Sequence, residues 1–239
     1  MISFFKTPSR TYRLEVDRFV CNKFGIAEFF TNCFCENDLG DCRKVLDVGC
    51  GVGPLAFFLA DQFGCTVVGA EINGDACKCF RKNVDILNLS DRVSLVEGDF
   101  SMSGWNAPDA MFDLIVSNPP IDDNVPDDII QKYSGCSYEH PGSSEFMYVT
   151  NSWHDDQGKD LLDYLFLFAE KHLKINGRIA IAYCSIAGAT EKTVSNRGAF
   201  YDFTVRRMIN GAITMKSIGA ETCNPSYVNA YYVVLQREK

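Results

Sequence analysis

The chain lacks any uninterrupted apolar run approaching the ~18 residues needed to cross a membrane. Its opening stretch, Met1-Ile2-Ser3-Phe4-Phe5-Lys6, is too short and wrongly flanked for a secretory signal. These absences predict a cytoplasmic protein with no membrane contact. Internal repeats, low-complexity tracts and heptads are missing too, which excludes solenoids and long coiled coils. Histidine is scarce, at 3 residues. Cysteine is plentiful at 11, yet Cys33-x-Cys35 and Cys77-x-Cys79 each leave a single residue between thiols, where zinc motifs use two or more. No metal is predicted, and an odd number of scattered thiols fits reduced packing residues.

Positive charge is missing from one region in particular. Residues 122–163 hold Asp122, Asp123, Asp127, Asp128, Glu139, Glu145, Asp155, Asp156, Asp160 and Asp163 against Lys132 and Lys159, which accounts for the whole net charge of −8. Phosphate contacts dominate nucleic-acid affinity, so this region disfavours a large nucleic-acid substrate if it borders the active site. A solvated surface loop would look the same.

What is present is a core-rich chain of 239 residues, 46% hydrophobic, enough for one α/β domain with a small attachment. Over 10–36, Leu14, Val16, Phe19, Val20, Phe24, Ile26, Phe29 and Phe30 recur at mixed three- and four-residue spacing, which predicts one or two amphipathic helices. Residues 1–43 are thus expected to be an N-terminal helical lid or cap. From Lys44 short apolar runs alternate with helical patterns, the signature of βαβ units and a mostly parallel sheet. Strands are predicted at 44–48, 66–71, 93–97, 112–117 and 178–184, with helices at 54–63, 74–87 and 159–173. A helix at 199–209 and a hairpin of strands 212–218 and 228–236 close a seven-stranded, Rossmann-like sheet. The segment 121–158 lacks periodicity, and an insertion of that length inside the 44–239 domain is uncommon unless it is functional.

Two strand ends carry the chemistry. Val45-Leu46-Asp47-Val48 runs into Gly49-Cys50-Gly51-Val52-Gly53, a turn whose glycines permit positive φ and let a ligand press on backbone N–H groups beyond the strand's carboxyl end. Glu71 ends the next strand about twenty residues on, suitably placed for a ribose diol, although a helix-cap acid would occupy the same position. Asp99 follows the third strand and suits an adenine amino group, with Phe100 or Ile72 over the ring face.

On these residues the chain resembles the class I S-adenosylmethionine-dependent methyltransferases. The similarity runs from about 44 to 236 in element order and includes the closing hairpin, which dinucleotide dehydrogenases lack. The resemblance implies that Asp47-x-Gly49-x-Gly51-x-Gly53, with Cys50 in the turn, wraps the amino-acid part of S-adenosylmethionine, that Glu71 binds ribose and that Asp99 meets adenine. Cys50 and Pro54 depart from the usual residues.

Asn118-Pro119-Pro120-Ile121 resembles the Asn-Pro-Pro-aromatic motif of methyltransferases that modify planar nitrogens, namely exocyclic base amines and glutamine amides. Such a nitrogen has a delocalised lone pair. It attacks well only when its N–H groups are held by acceptors and the lone pair is aimed at the methyl group. The Asn118 side-chain oxygen and the Pro119 carbonyl suit that task, with the prolines stiffening the turn, and Asn118 is also expected to border the cofactor. Ile121 departs from the motif by offering no ring. Stacking from Tyr133, Tyr138, Phe146, Tyr148 or Trp153 would replace it, and Asp122 and Asp123 would favour a cationic or amine-bearing substrate. Asp155-to-Asp163 and Glu139-His140-Pro141 loosely resemble the release-factor glutamine methyltransferases.

The leading expectation is methyl transfer to a nitrogen of a small molecule or protein side chain. RNA or DNA base N-methylation is the alternative, and a basic surface of Arg197, Arg206, Arg207 and Lys216 near the cleft would favour it. A nicotinamide oxidoreductase and a non-catalytic, cofactor-binding partner subunit are the readings from other classes. The oligomeric state is not legible.

Overall fold

In the computed structural model, the runs from Lys44 onward form one sheet between two helical layers; residues 1–17, 20, 24–40, 42–98, 111–119, 161–185, 190–214 and 227–237 are described. The described elements in chain order are β1 (Ile2–Lys6), β2 (Thr11–Glu15), α1 (Gly25–Cys33), α2 (Glu36–Leu39), β3 (Lys44–Val48), α3 (Pro54–Phe63), β4 (Thr66–Glu71) and α4 (Gly74–Leu87). They continue with β5 (Val93–Glu97), β6 (Phe112–Ser117), α5 (Leu161–His172), β7 (Leu173–Cys184), α6 (Thr193–Phe200), β8 (Phe203–Thr214) and β9 (Tyr227–Arg237).

Helix boundaries follow local chemistry. Pro54 opens α3, where its missing N–H would be unpaired in any case, and Gly64 ends it at φ +67° with its N–H on the Ala60 carbonyl at 3.1 Å. Asn73 caps α4 by accepting the N–H groups of Asp75 and Ala76 at 2.9 and 3.3 Å.

The seven-stranded sheet has the order β5-β4-β3-β6-β7-β9-β8, with β9 antiparallel to both of its neighbours and the other pairings parallel. Alternate residues feed two cores. Val45, Leu114 and Ala180 pack with α1, α3, α4 and the N-terminal hairpin; Leu46, Ile115 and Ile179 pack with α5 and α6. Burial on both faces is why these strands read as continuous apolar runs rather than alternating ones. From β3 the chain winds outward through β4 and β5, then returns to β6 on the opposite side of β3. The winding therefore reverses between β3 and β6, and that crevice is where open α/β sheets hold ligands.

Two sequence expectations need correction. Thr11–Glu15 is a strand, not part of a helix: Tyr12, Leu14 and Val16 are buried at every second position. Pro8 lies in the turn that pairs it with β1, closed by the Thr7 N–H on the Arg10 carbonyl at 2.9 Å. Among the described residues of the N-terminal segment, helix is confined to α1 and α2. The second correction concerns the predicted helix at 199–209, which is the end of α6 followed by β8. The β8–β9 register shifts between Val205 and Arg207, so one extra residue breaks the two-residue period and imitates a helical one.

Candidate active site

The parallel register of β3 on β6 aligns Val48 with Ser117, so the next residues, Gly49 and Asn118, leave adjacent strand ends together. Neighbouring strands lie about 4.8 Å apart. The glycine turn and the Asn-Pro turn therefore share one lip, at the switch point. Ser117 fixes this junction: its buried hydroxyl donates to the Val48 carbonyl at 2.8 Å. Asn118 is half-buried and Pro119 is buried. Ser117 was missed in the sequence, where its only signal is a small polar residue closing an apolar run.

The turn itself is a backbone structure. The N–H groups of Gly49 and Cys50 both donate to the Ala70 carbonyl at 2.9 and 3.1 Å, and the Gly53 N–H returns to the Cys50 carbonyl at 2.9 Å. Gly49, Gly51 and Gly53 have φ of +67°, +56° and +99°. Their surroundings differ. A Cβ on Gly53 would lie 2.3 Å from the Phe57 ring, whereas at Gly49 and Gly51 a Cβ would meet nothing within 4 Å. Gly53 is required by packing, and Gly49 and Gly51 form an open cradle of the kind an elongated ligand fills.

Two carboxylates stand behind the cradle. Glu71 accepts the Gly51 N–H on one oxygen at 2.8 Å and those of Ile72 and Asn73 on the other at 2.9 and 2.8 Å. It thus serves as a backbone acceptor that joins the loop to the end of β4, while the cap of α4 is Asn73. A carboxylate has about four acceptor sites, which leaves capacity for a further donor. Burial raises its pKa, opposed by the three N–H groups. Asp47 is 1% exposed and accepts the Ala56 N–H, in the first turn of α3, at 3.1 Å. Burial pushes its carboxyl up to about 8; the Ala56 N–H opposes the shift and the Glu71 charge adds to it. Burial, then the Asp47 and Glu71 charges, also raise the buried Cys50 thiol, which favours its protonated form.

A pH dependence follows for Asp47. The folded pKa of about 8 lies above the ordinary carboxylate value of 3.8, so the stabilising contribution is complete below the unfolded pKa and is lost as pH rises through the folded one. Across that window the slope is on the order of 1 kcal/mol per pH unit. Thermal melting of the unliganded protein should fall from pH 5 to 9, and Asp47→Asn, which keeps an acceptor for Ala56, should flatten that fall. Parallel pH profiles for the two proteins would contradict the assignment.

Ile72, expected over the adenine ring, is 43% exposed next to Glu71. The expected sites Asp99, Phe100, Pro120, Ile121, Asp122, Tyr133, Tyr138 and Trp153, and the 121–158 segment, lie outside the described residues. Of the arginines that would have made a basic surface, Arg207 pairs with Asp38 at 2.6 Å and Arg197 with Asp163 at 2.5 Å, while Arg206 donates to Gln236 at 2.8 Å. No cluster of three or more His, Cys, Asp or Glu suited to a metal occurs among the described residues. No described helix is long and apolar enough to cross a membrane.

This architecture is the class I methyltransferase fold. A methyltransferase from Pyrococcus furiosus superposes with a TM-score of 0.57 at 18% identity, covering 95% of this chain and 89% of that one. Residues 26–133 match the family model of the methyltransferase small domain. The chain is similar to the release factor glutamine methyltransferase of Chlorobaculum tepidum, 41% identical over 85 residues, 35% of this chain and 29% of that protein. It is also similar to the rRNA N(6)-adenosine-methyltransferase metl-5 of Caenorhabditis elegans, 30% identical over 116 residues, 47% and 54% of the two chains. The matched stretches thus span about half or less of those relatives' own lengths.

Proposed function

We propose that this protein is an S-adenosylmethionine-dependent methyltransferase acting on a planar nitrogen, in a protein side-chain amide or a small molecule, held at the Asn118-Pro119-Pro120 turn. The observation that carries the reading is the Val48–Ser117 register, which brings the open glycine cradle and the Asn-Pro turn to one lip. When bound, S-adenosylmethionine supplies an electrophilic methyl on a sulfonium. Asp47, Gly49, Cys50, Gly51 and Gly53 form the turn around its amino-acid part, with room and backbone at Gly49 and Gly51; Glu71 suits its ribose hydroxyls; Asp99, Phe100 and Ile72 are the adenine partners.

Asn118 and Pro119 hold the substrate nitrogen. Their two carbonyl oxygens accept its N–H groups, turning the lone pair toward the methyl group, and this orientation contributes most of the rate, on the order of 7–11 kcal/mol for well-aligned reactants. The proton left on the methylated nitrogen can depart to water afterwards, so no strong base is required. Tyr133, Tyr138, Trp153, Ile121 and Asp122 are the candidate substrate contacts. Residues 44–239 form the catalytic domain in this reading, and the cytoplasm is the expected compartment.

RNA base N-methylation is the second reading, favoured by the similarity to an rRNA adenosine methyltransferase. The acidic 122–163 segment and the pairing of Arg197 and Arg207 with acids weigh against it. Incubating the purified protein with methyl-labelled S-adenosylmethionine and fractionated extract separates the two. Label in protein or small metabolites supports the first reading and label in RNA the second. No incorporation despite cofactor binding would mean a non-catalytic partner subunit.

A further inference from the structure

One fully buried polar side chain has no part in the chemistry above. Asn83, on α4, is 0% exposed. Its Oδ1 accepts the Glu15 N–H at 2.7 Å, and its Nδ2 donates to the Glu15 carbonyl at 2.9 Å and to the Val52 carbonyl at 3.2 Å. Both amide hydrogens and one oxygen lone pair are used. Glu15 ends β2, and Val52 sits between Gly51 and Gly53. A single side chain therefore ties the N-terminal hairpin to the glycine loop.

A second contact lays the same strand exit along α4. Cys79, one helical turn before Asn83, accepts the Asp17 N–H on its sulfur at 3.1 Å. At the far end of the hairpin, the Tyr12 hydroxyl donates to Asp61 on α3 at 2.8 Å, and Phe5, Tyr12 and Leu14 share the core under α3 and α4.

The loop needs such support. Glycines at positive φ lose the most entropy on ordering and bring no side chain to hold their own conformation. Glu71 grips Gly51 from the β4 side, and Asn83 grips Val52 from the α4 side. A loop held at only one of these points would have to be ordered by its ligand, at the expense of affinity.

We propose that Asn83 is a positioning residue that transmits docking of the N-terminal hairpin to the glycine loop, so that residues 1–17 clamp the cofactor cradle. This rests on the reading of Gly49–Gly53 as the cofactor loop. The N-terminal segment then acts on cofactor affinity, in addition to any role as a cap.

The test uses the full chain and three proteins: wild type, Asn83→Ala, and Tyr12→Phe, which weakens hairpin docking at a point away from the loop. Amide hydrogen exchange at Val52 and Gly53 is measured without ligand, and S-adenosylhomocysteine affinity by calorimetry. Asn83→Ala is expected to speed exchange and weaken the product about tenfold, the equivalent of roughly one net hydrogen bond. Tyr12→Phe, which loosens the hairpin on α3 without touching Asn83 or the loop, should shift both readouts in the same direction by a smaller amount. Asn83→Asp, which keeps the acceptor and loses both donors, should not rescue. Should Asn83→Ala fail to fold, Asn83→Ser is read in its place. Wild-type exchange and affinity in Asn83→Ala, or in a Tyr12→Phe protein whose melting temperature has fallen, would overturn the proposal. If wild type binds no S-adenosylhomocysteine, the cofactor reading falls, and exchange at the loop alone decides whether Asn83 anchors it.

Discussion

Asn118→Ala should cut turnover by about 10²–10³-fold while the dissociation constant for S-adenosylhomocysteine stays within about threefold of wild type. The side chain belongs to the substrate half of the lip, because Asn118 follows β6 whereas the cradle follows β3. Truncation removes one of two acceptors that hold the nucleophile. The nitrogen can then rotate, and its delocalised lone pair is no longer aimed at the methyl group. Cofactor contacts on the β3 and β4 side are untouched. Asn118 is only half-buried, so the melting temperature should move little. A variant that keeps turnover would reduce the Asn-Pro-Pro turn to a rigid strand exit. A variant that loses cofactor binding to the same degree would move Asn118 to the other half of the site.

The second large effect is a contrast between two glycines in one loop. Gly51→Val should abolish measurable cofactor binding, by ~100-fold or more, while the protein still folds. A Cβ there meets no protein atom within 4 Å, so the added side chain starts in the open space of the cradle. The φ of +56° adds strain of about 1–2 kcal/mol. Gly53→Ala should do the reverse and act on the fold. Its Cβ would fall 2.3 Å from a Phe57 ring atom, at φ +99°. Overpacking of about 1–3 kcal/mol adds to the backbone strain there. Calorimetric titration and thermal melting on both variants check this, and a Gly51→Val protein that binds S-adenosylhomocysteine like wild type would remove the cradle from the site.

The central strands were readable because burial on both faces leaves an unbroken apolar run bounded by glycine or proline. Strands β3, β4, β5 and β6 and helices α3 and α4 fall on the expected residues, since each is bracketed by its own signal: Gly49 after β3, Pro54 opening α3, Asn73 capping α4. Less was readable where tertiary pairing sets the period. The bulge near Arg206 imitates a helix, and the β1–β2 hairpin was hidden because Leu14 and Val16 were grouped with later aromatics instead of with Tyr12. At the site, Asp47, Gly49, Gly51, Gly53, Glu71 and Asn118 converge on adjacent strand ends as expected. The backbone hydrogen bonds of Glu71 and Asp47 and the Ser117 staple were illegible, because they join residues distant in sequence through main-chain atoms that every residue carries.

A crystal structure of the protein with S-adenosylhomocysteine is the most direct test. The homocysteine part should lie along Gly49–Gly53, with its sulfur directed across the lip at the Asn118 side chain. A product molecule bound elsewhere, or one whose sulfur faces away from Asn118, would contradict a methyl transfer at the junction of β3 and β6.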